Sequence, residues 1–125
     1  MMPKPRADIV ANTLEFEILP LVKPTGFREY DARWWFNGIG HEKPAELNLE
    51  GVKALGLGMA TLFHELGVEP KVVTGHDFRS ISASIKNALI LGMVQGGAKC
   101  WMWALRSPQW CIGASSSLMR RAAPW

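Results

Sequence analysis

The stretch KVVTG, residues 71–75, decides the fold that this sequence predicts. Three of its five residues are β-branched, and a short β-branched run of this kind is typical of a buried parallel strand. Glu69 and Pro70 lead into it, and the loop 76–80 follows it. We therefore expect a strand near 70–75 whose carboxyl end meets a loop.

A helix is predicted on the amino-terminal side of this strand. Asn48 can cap a helix near 48–66, and Gly67 can end it. The apolar stripe of this helix consists of Val52, Leu55, Met59, Leu62 and Leu66. Gly56 and Gly58 each weaken a helix by up to about 1 kcal/mol relative to alanine, which indicates that a neighbouring element comes close.

A second helix is predicted on the carboxyl-terminal side. Ser82 can cap it, and Gly96 and Gly97 can end it, which gives bounds near 82–95. Since another strand is expected near 99–104, strands and helices alternate along the chain. This succession predicts the α/β class: a three-layer α/β/α domain with a small mixed sheet, in which ligands bind near the carboxyl ends of the strands.

Residues 26–33, GFREYDAR, carry the clearest candidate site. Their alternation favours an extended strand near 27–33 with its charged side chains at an edge. The guanidinium groups of Arg28 and Arg33 match phosphate oxygens bidentately, and the Tyr30 hydroxyl adds a rigid donor. The segment therefore indicates anion recognition. The alternative is a charged edge strand with internal salt bridges.

The loop 76–80 offers a second candidate, because it would lie at the carboxyl end of a strand. Asp77 and Arg79 are its charged residues. Either they are functional, or Asp77 bonds backbone amides while Arg79 closes a salt bridge.

Composition narrows the class of protein. The 125 residues carry a net charge of +3 and are 48% hydrophobic, the proportions of one ordinary globular domain. Basic residues are scattered, so we expect neither nucleic acid nor a membrane as partner. Cys100 and Cys111 give no disulfide framework or metal knuckle, and the first residues do not resemble a signal peptide, so we expect the cytoplasm.

Residues 1–25 show little periodicity and are predicted to form an irregular arm laid over the domain. Its possible anchors are Leu14, Phe16, Ile18 and Leu19.

Three motifs occur in order: GFREYDAR at 26–33, LNLEGVKALG at 47–56 and VVTGHDFRSISASIKNAL at 72–89. Together they closely resemble the first domain of the α-D-phosphohexomutases, the phosphomannomutase/phosphoglucomutase family. The resemblance covers about residues 26–99. It implies an enzyme that moves a phosphoryl group between O1 and O6 of a hexose phosphate, using a phosphoserine and a bound Mg²⁺ ion.

The resemblance also implies roles for individual residues. Tyr30 and Arg33 fall where the family delivers a tyrosine and an arginine to the active-site cleft. Arg33 would offset negative charge on the transferring phosphoryl group. Arg28 and Arg79 are the further candidates for binding substrate. The chain departs from the family at Trp34, where glycine is common.

Two loops of the family do not occur in these 125 residues. One is T-A-S-H-N, which carries the phosphoserine, and the other is D-G-D-G-D-R, which binds magnesium. The resemblance therefore implies substrate and Mg²⁺ for intact members, whereas we expect this chain alone to be inactive.

The resemblance stops at Lys99, and residues 100–125 hold four of the six tryptophans and both cysteines. Read from the third base of the Lys99 codon, the codons for residues 100–104 specify Val or Met followed by Leu-Asp-Val-Gly, the strand that the family would show here. We therefore expect an arm at 1–25, a domain at 26–99, and an aberrant, frameshifted tail that favours non-specific association.

A non-enzymatic function is the alternative. A small basic α/β domain can serve as a binding module for a phosphorylated ligand or RNA. Its surface would combine Arg28 and Arg33 with Trp34 and Trp35.

Overall fold

The computed structural model describes residues 2–36 and 43–102. Its elements are α1 (Leu14–Ile18), a 3₁₀ helix (Pro24–Gly26), α2 (Leu49–Glu65), β1 (Lys71–Thr74), α3 (Ser82–Gln95) and β2 (Lys99–Met102). The two long helices and the strand near 70–75 are confirmed. The strand expected near 99–104 is present as far as Met102, and positions 103–104 lie outside the described residues.

α2 begins and ends as its sequence predicts. The Oδ1 atom of Asn48 accepts a hydrogen bond from the Gly51 N–H at 2.7 Å, which makes Asn48 the amino-terminal cap. Gly67 follows the helix with a φ of 65°, a left-handed conformation that glycine adopts without strain.

α2 and α3 pack closely through two glycines. A Cβ on Gly56 would overlap the backbone carbonyl of Leu89, and one on Gly92 would overlap the carbonyl of Lys53. The prediction of a close approach is therefore confirmed at Gly56. It is wrong at Gly58, where a Cβ would meet nothing within 4 Å.

The sheet contains β1 and β2, which pair in parallel with Val72 opposite Cys100. α3 connects the two strands, so they form a βαβ unit. Val72 and Cys100 pack against a buried cluster whose members come from α2, α3 and the residue before β2: Ala60, Met93 and Ala98. On the other face, Val73 and Trp101 remain 51% and 41% exposed.

The strand predicted near 27–33 is not formed, and the described sheet is parallel rather than mixed. Phe27 and Ala32 instead make an isolated antiparallel bridge, and the Arg28 N–H donates to the Asp31 carbonyl at 2.9 Å. The Phe27 ring also packs edge-on against Trp34, with 5.1 Å between centroids. These local contacts close the segment into a turn. The alternating residue pattern of residues 27–33 is compatible with such a turn and needs no partner strand. We call residues 27–33 the arginine turn.

Two smaller predictions also need correction. Ser82 does not cap α3: the cap position is Ile81, and Ser82 is the first helical residue. The loop expected over residues 1–25 contains α1, which Thr13 caps. Of the expected anchors Phe16 is buried and Leu19 packs beside it, whereas Leu14 and Ile18 are exposed.

Within the described ranges, no helix has the length and apolar character needed to cross a membrane.

Candidate functional site

The arginine turn presents three of the four candidate side chains to solvent. The Tyr30 residue is 93% exposed, and the side chain of Arg33 is 78% exposed. Nε of Arg33 donates to Oδ2 of Asp31 at 2.7 Å. Arg28 is exposed, and its guanidinium makes no hydrogen bond or ion pair with the residues that the structure describes. The turn can therefore offer several guanidinium donors to an anion.

The loop after β1 is built around the carboxylate of Asp77. Its Oδ2 accepts from Nε of Arg79 at 2.9 Å, and its Oδ1 accepts from the Arg79 backbone N–H at 3.2 Å. The Ser82 hydroxyl donates to Oδ1 as well. The prediction for this loop left two interpretations open, and these contacts match the structural one: a carboxylate that bonds a backbone amide and closes a salt bridge.

These contacts set the protonation of Asp77. The hydrogen bond from Ser82 is the largest cause that holds the pKa of Asp77 below its ordinary value. The backbone N–H of Arg79, its positive charge and the nearby His76 act in the same direction, while partial desolvation opposes them. Asp77 is therefore ionised throughout the neutral range.

A cavity of about 510 Å³ lies between β1 and α3 and reaches this loop. His76, Asp77 and Ser82 line its polar end. The Nδ1 atom of His76 is buried and has no hydrogen-bond partner among the described residues.

The two candidate segments do not share the cavity at the end of β1. Arg28, Tyr30 and Arg33 do not line the cavity at the end of β1. No hydrogen bond or ion pair among the described residues joins the arginine turn to the loop 76–80. In the described part of the chain the two segments are thus two groups of polar side chains with no polar contact between them.

A magnesium ion does not fit the described residues. Nowhere in 2–36 or 43–102 do three histidine, cysteine, aspartate or glutamate side chains come together. Both oxygens of Asp77 are engaged by Arg79 and Ser82, so this carboxylate is not free to bind a hard cation.

Fold and loop together define an α/β domain of the kind that binds ligands at the carboxyl ends of parallel strands. A family model described as phosphoglucomutase/phosphomannomutase, alpha/beta/alpha domain I, matches residues 25–110. The chain belongs to the phosphoglucomutase/phosphomannomutase family, and the expected α/β/α fold class is that of the matched domain. Neither the curated proteins nor the solved structures gave a match to this chain.

Sequence reasoning missed the contact between Ser82 and Asp77 and the buried nitrogen of His76. The contact between Ser82 and Asp77 could have been predicted, because a polar residue at the start of a helix is positioned to bond a carboxylate in the preceding loop. The buried nitrogen of His76 could not, since the burial of His76 depends on how β1 and α3 pack.

Proposed function

We propose that this chain is the first domain of a phosphohexomutase. In the intact enzyme it would contribute to transfer of a phosphoryl group between O1 and O6 of a hexose phosphate in carbohydrate metabolism, with Mg²⁺ supplied elsewhere. The observation that carries this proposal is the family match over residues 25–110.

The arginine turn is the proposed contribution to the cleft. Asp31 accepts from Nε of Arg33 only, and the two terminal nitrogens of that guanidinium form no hydrogen bond or ion pair with the described residues. They are available to stabilise negative charge on a transferring phosphoryl group. Tyr30, with its exposed hydroxyl, would help to orient the sugar phosphate. Arg28 and Arg79 would add weaker contacts to its phosphate.

We also propose that these 125 residues do not turn over substrate by themselves. The serine and metal loops described above are not among them. A frameshift near Lys99 explains this, because the shifted frame encodes Leu-Asp-Val-Gly at the position that β2 occupies. The family match runs to residue 110, however, so an authentic divergent strand is the competing explanation. The gene sequence beyond codon 104 decides between them. A shifted frame that stays open and encodes the T-A-S-H-N loop supports the frameshift, whereas a stop codon in that frame before such a loop contradicts it.

Binding of the sugar phosphate is tested with backbone NMR of the chain titrated with glucose 1-phosphate and mannose 1-phosphate. We expect amide shifts concentrated in residues 28–33 and their loss in Arg33→Ala. Lys4→Ala removes an exposed cation elsewhere and should leave them unchanged. Equal shifts in both variants would contradict the proposed role of Arg33, as would RNA binding with a steep salt dependence at the same surface.

A further inference from the structure

The backbone hydrogen bonds of the arginine turn have an antiparallel register that sorts its side chains. On one side of the bridge at Phe27, the Arg33 N–H donates to the Gly26 carbonyl at 2.8 Å. On the other side, the Arg28 N–H donates to the Asp31 carbonyl. Residues opposite each other in an antiparallel pair point to the same face, and successive residues alternate between faces. The register therefore places Arg28, Asp31 and Arg33 together on the face away from Phe27.

Trp34 anchors the base of the arginine turn. Every residue of the turn is exposed, whereas Gly26 before it is buried and Trp34 after it is half-buried. The Lys23 carbonyl accepts a hydrogen bond from Nε1 of Trp34 at 2.7 Å, besides one from the Gly26 N–H at 3.1 Å. The indole also packs against a buried cluster that includes Val22 and Leu47. The turn is thus attached to the domain at its two ends, and the indole forms one of these attachments.

The indole of Trp34 fits against Gly26 with no space to spare. A Cβ on Gly26 would overlap the ring, so the ring can lie here only because residue 26 is glycine. The edge of the aromatic pair with Phe27 closes the contact from the other end of the turn. Since Arg33 directly precedes Trp34 and bonds the Gly26 carbonyl, the seat of the indole determines where the Arg33 side chain leaves the backbone.

We propose that Trp34 is a positioning residue for phosphate binding: its indole holds the base of the turn so that Arg28 and Arg33 are presented on one face to the same phosphate group. This role rests on the proposed function of the arginine turn, and Trp34 acts through Arg33 rather than by touching substrate. Guanidinium groups that the fold already orders lose less conformational freedom on binding. Loosening the base lowers the population of the binding-competent turn, and the apparent affinity falls with that population.

Two substitutions test this role without changing either arginine. Trp34→Phe keeps an aromatic ring but removes the N–H that donates to the Lys23 carbonyl, and Gly26→Ala places a methyl group where the indole lies. Each should weaken binding of glucose 1-phosphate by a factor of about three to ten, the equivalent of one lost hydrogen bond. The matched controls are Trp101→Phe, an exposed indole on β2, and Gly58→Ala, where a Cβ meets nothing within 4 Å. Both controls should change the affinity by less than about twofold.

A second measurement, made without ligand, separates positioning from a general loss of structure. The steady-state ¹H–¹⁵N NOE of the Arg33 Nε–Hε group should fall in Trp34→Phe and Gly26→Ala, while the amide NOEs of α2 stay constant. An unchanged Arg33 NOE, or a fall that extends to α2 in both variants, would overturn the role of Trp34. Unchanged affinity in both variants would also overturn it, and would leave the proposed function intact. If the native chain does not bind glucose 1-phosphate, the proposed function of the turn fails instead, and the Arg33 NOE then decides whether Trp34 orders the turn.

Discussion

Asn48 joins three segments of the chain through one buried amide. Its Oδ1 accepts from the N–H of Leu21 at 2.9 Å as well as from Gly51, and its Nδ2 donates to the carbonyls of Phe16 and Leu19 at 2.6 and 2.8 Å. The side chain is therefore both the cap of α2 and the attachment point of the amino-terminal arm.

Asn48→Ala should lower the free energy of unfolding by at least about 2 kcal/mol, since a lost cap costs about 1 kcal/mol and each buried unpaired group about 1 to 3. Urea denaturation followed by tryptophan fluorescence measures the change. The control is Asn87→Ala, an exposed position on α3, which should change stability by less than about 0.7 kcal/mol. An equal loss of stability in both variants would show that Asn48 does not tie the amino-terminal arm to α2.

Ser82 should control the titration of Asp77. Because its hydroxyl stabilises the ionised carboxylate, Ser82→Ala should raise the pKa of Asp77 toward the ordinary value of 3.8. The pKa is lower in the folded chain, so the stabilisation is complete above about pH 3.8 and is lost as the pH falls through the folded pKa. Carboxyl ¹³C NMR measures it, with Ser80→Ala as the control on the same loop. An unchanged Asp77 titration in Ser82→Ala would refute the assignment.

At the scale of elements, two glycines of α2 make a matched pair. Gly56→Ala forces a methyl group into the backbone of Leu89, and overpacking of this kind typically costs about 1 to 3 kcal/mol. Gly58→Ala has open space and should stabilise the chain by up to about 1 kcal/mol through helix propensity. Thermal unfolding of the two variants should therefore shift in opposite directions. A gain in stability at both positions would mean that α2 and α3 do not cross at Gly56.

Elements with local signals were predictable, and those that depend on distant partners were not. α2 and α3 follow from apolar periodicity with glycines at their ends, and β1 from its β-branched run. The arginine turn was mistaken for a strand because alternation does not specify a pairing partner, and a salt bridge between Asp31 and Arg33 suits a turn equally well. α1 was not predicted because it has only five residues. The sequence did contain a signal for it, since Thr13 can cap a helix and Glu15 lies in the first turn.

The candidate site was predictable only in part, for the same reason. Arginine and aspartate chemistry could be read directly from residues 26–33 and 76–80. Whether these two segments meet depends on which strands pair in the sheet. No local sequence pattern encodes that pairing. The cavity beside β1 arises from the packing of α3 against that strand, so no local pattern could indicate it.

For the whole molecule, the proposed frameshift makes activity depend on the reading frame. Under that proposal, restoring the frame at codon 99 replaces Cys100 and Trp101 by Val or Met and Leu, and the product gains the serine and metal loops. We expect phosphoglucomutase or phosphomannomutase turnover from the restored product and none from the 125-residue chain. A coupled assay of hexose 6-phosphate formation measures both. Turnover by the 125-residue chain would disprove the claim of inactivity.

The bonds of Asn48 also impose an order on folding. Its bonds to Phe16, Leu19 and Leu21 connect positions 27 to 32 residues apart, whereas its cap bond to Gly51 spans three residues. Closing a long loop costs entropy before its contacts can repay it. The first turn of α2, closed by the local cap bond, should therefore form early, with the arm docking afterwards onto the capped helix. Loss of the Asn48 amide should then slow refolding only by the share of stability that the cap contributes, and the rest of the loss should appear as faster unfolding.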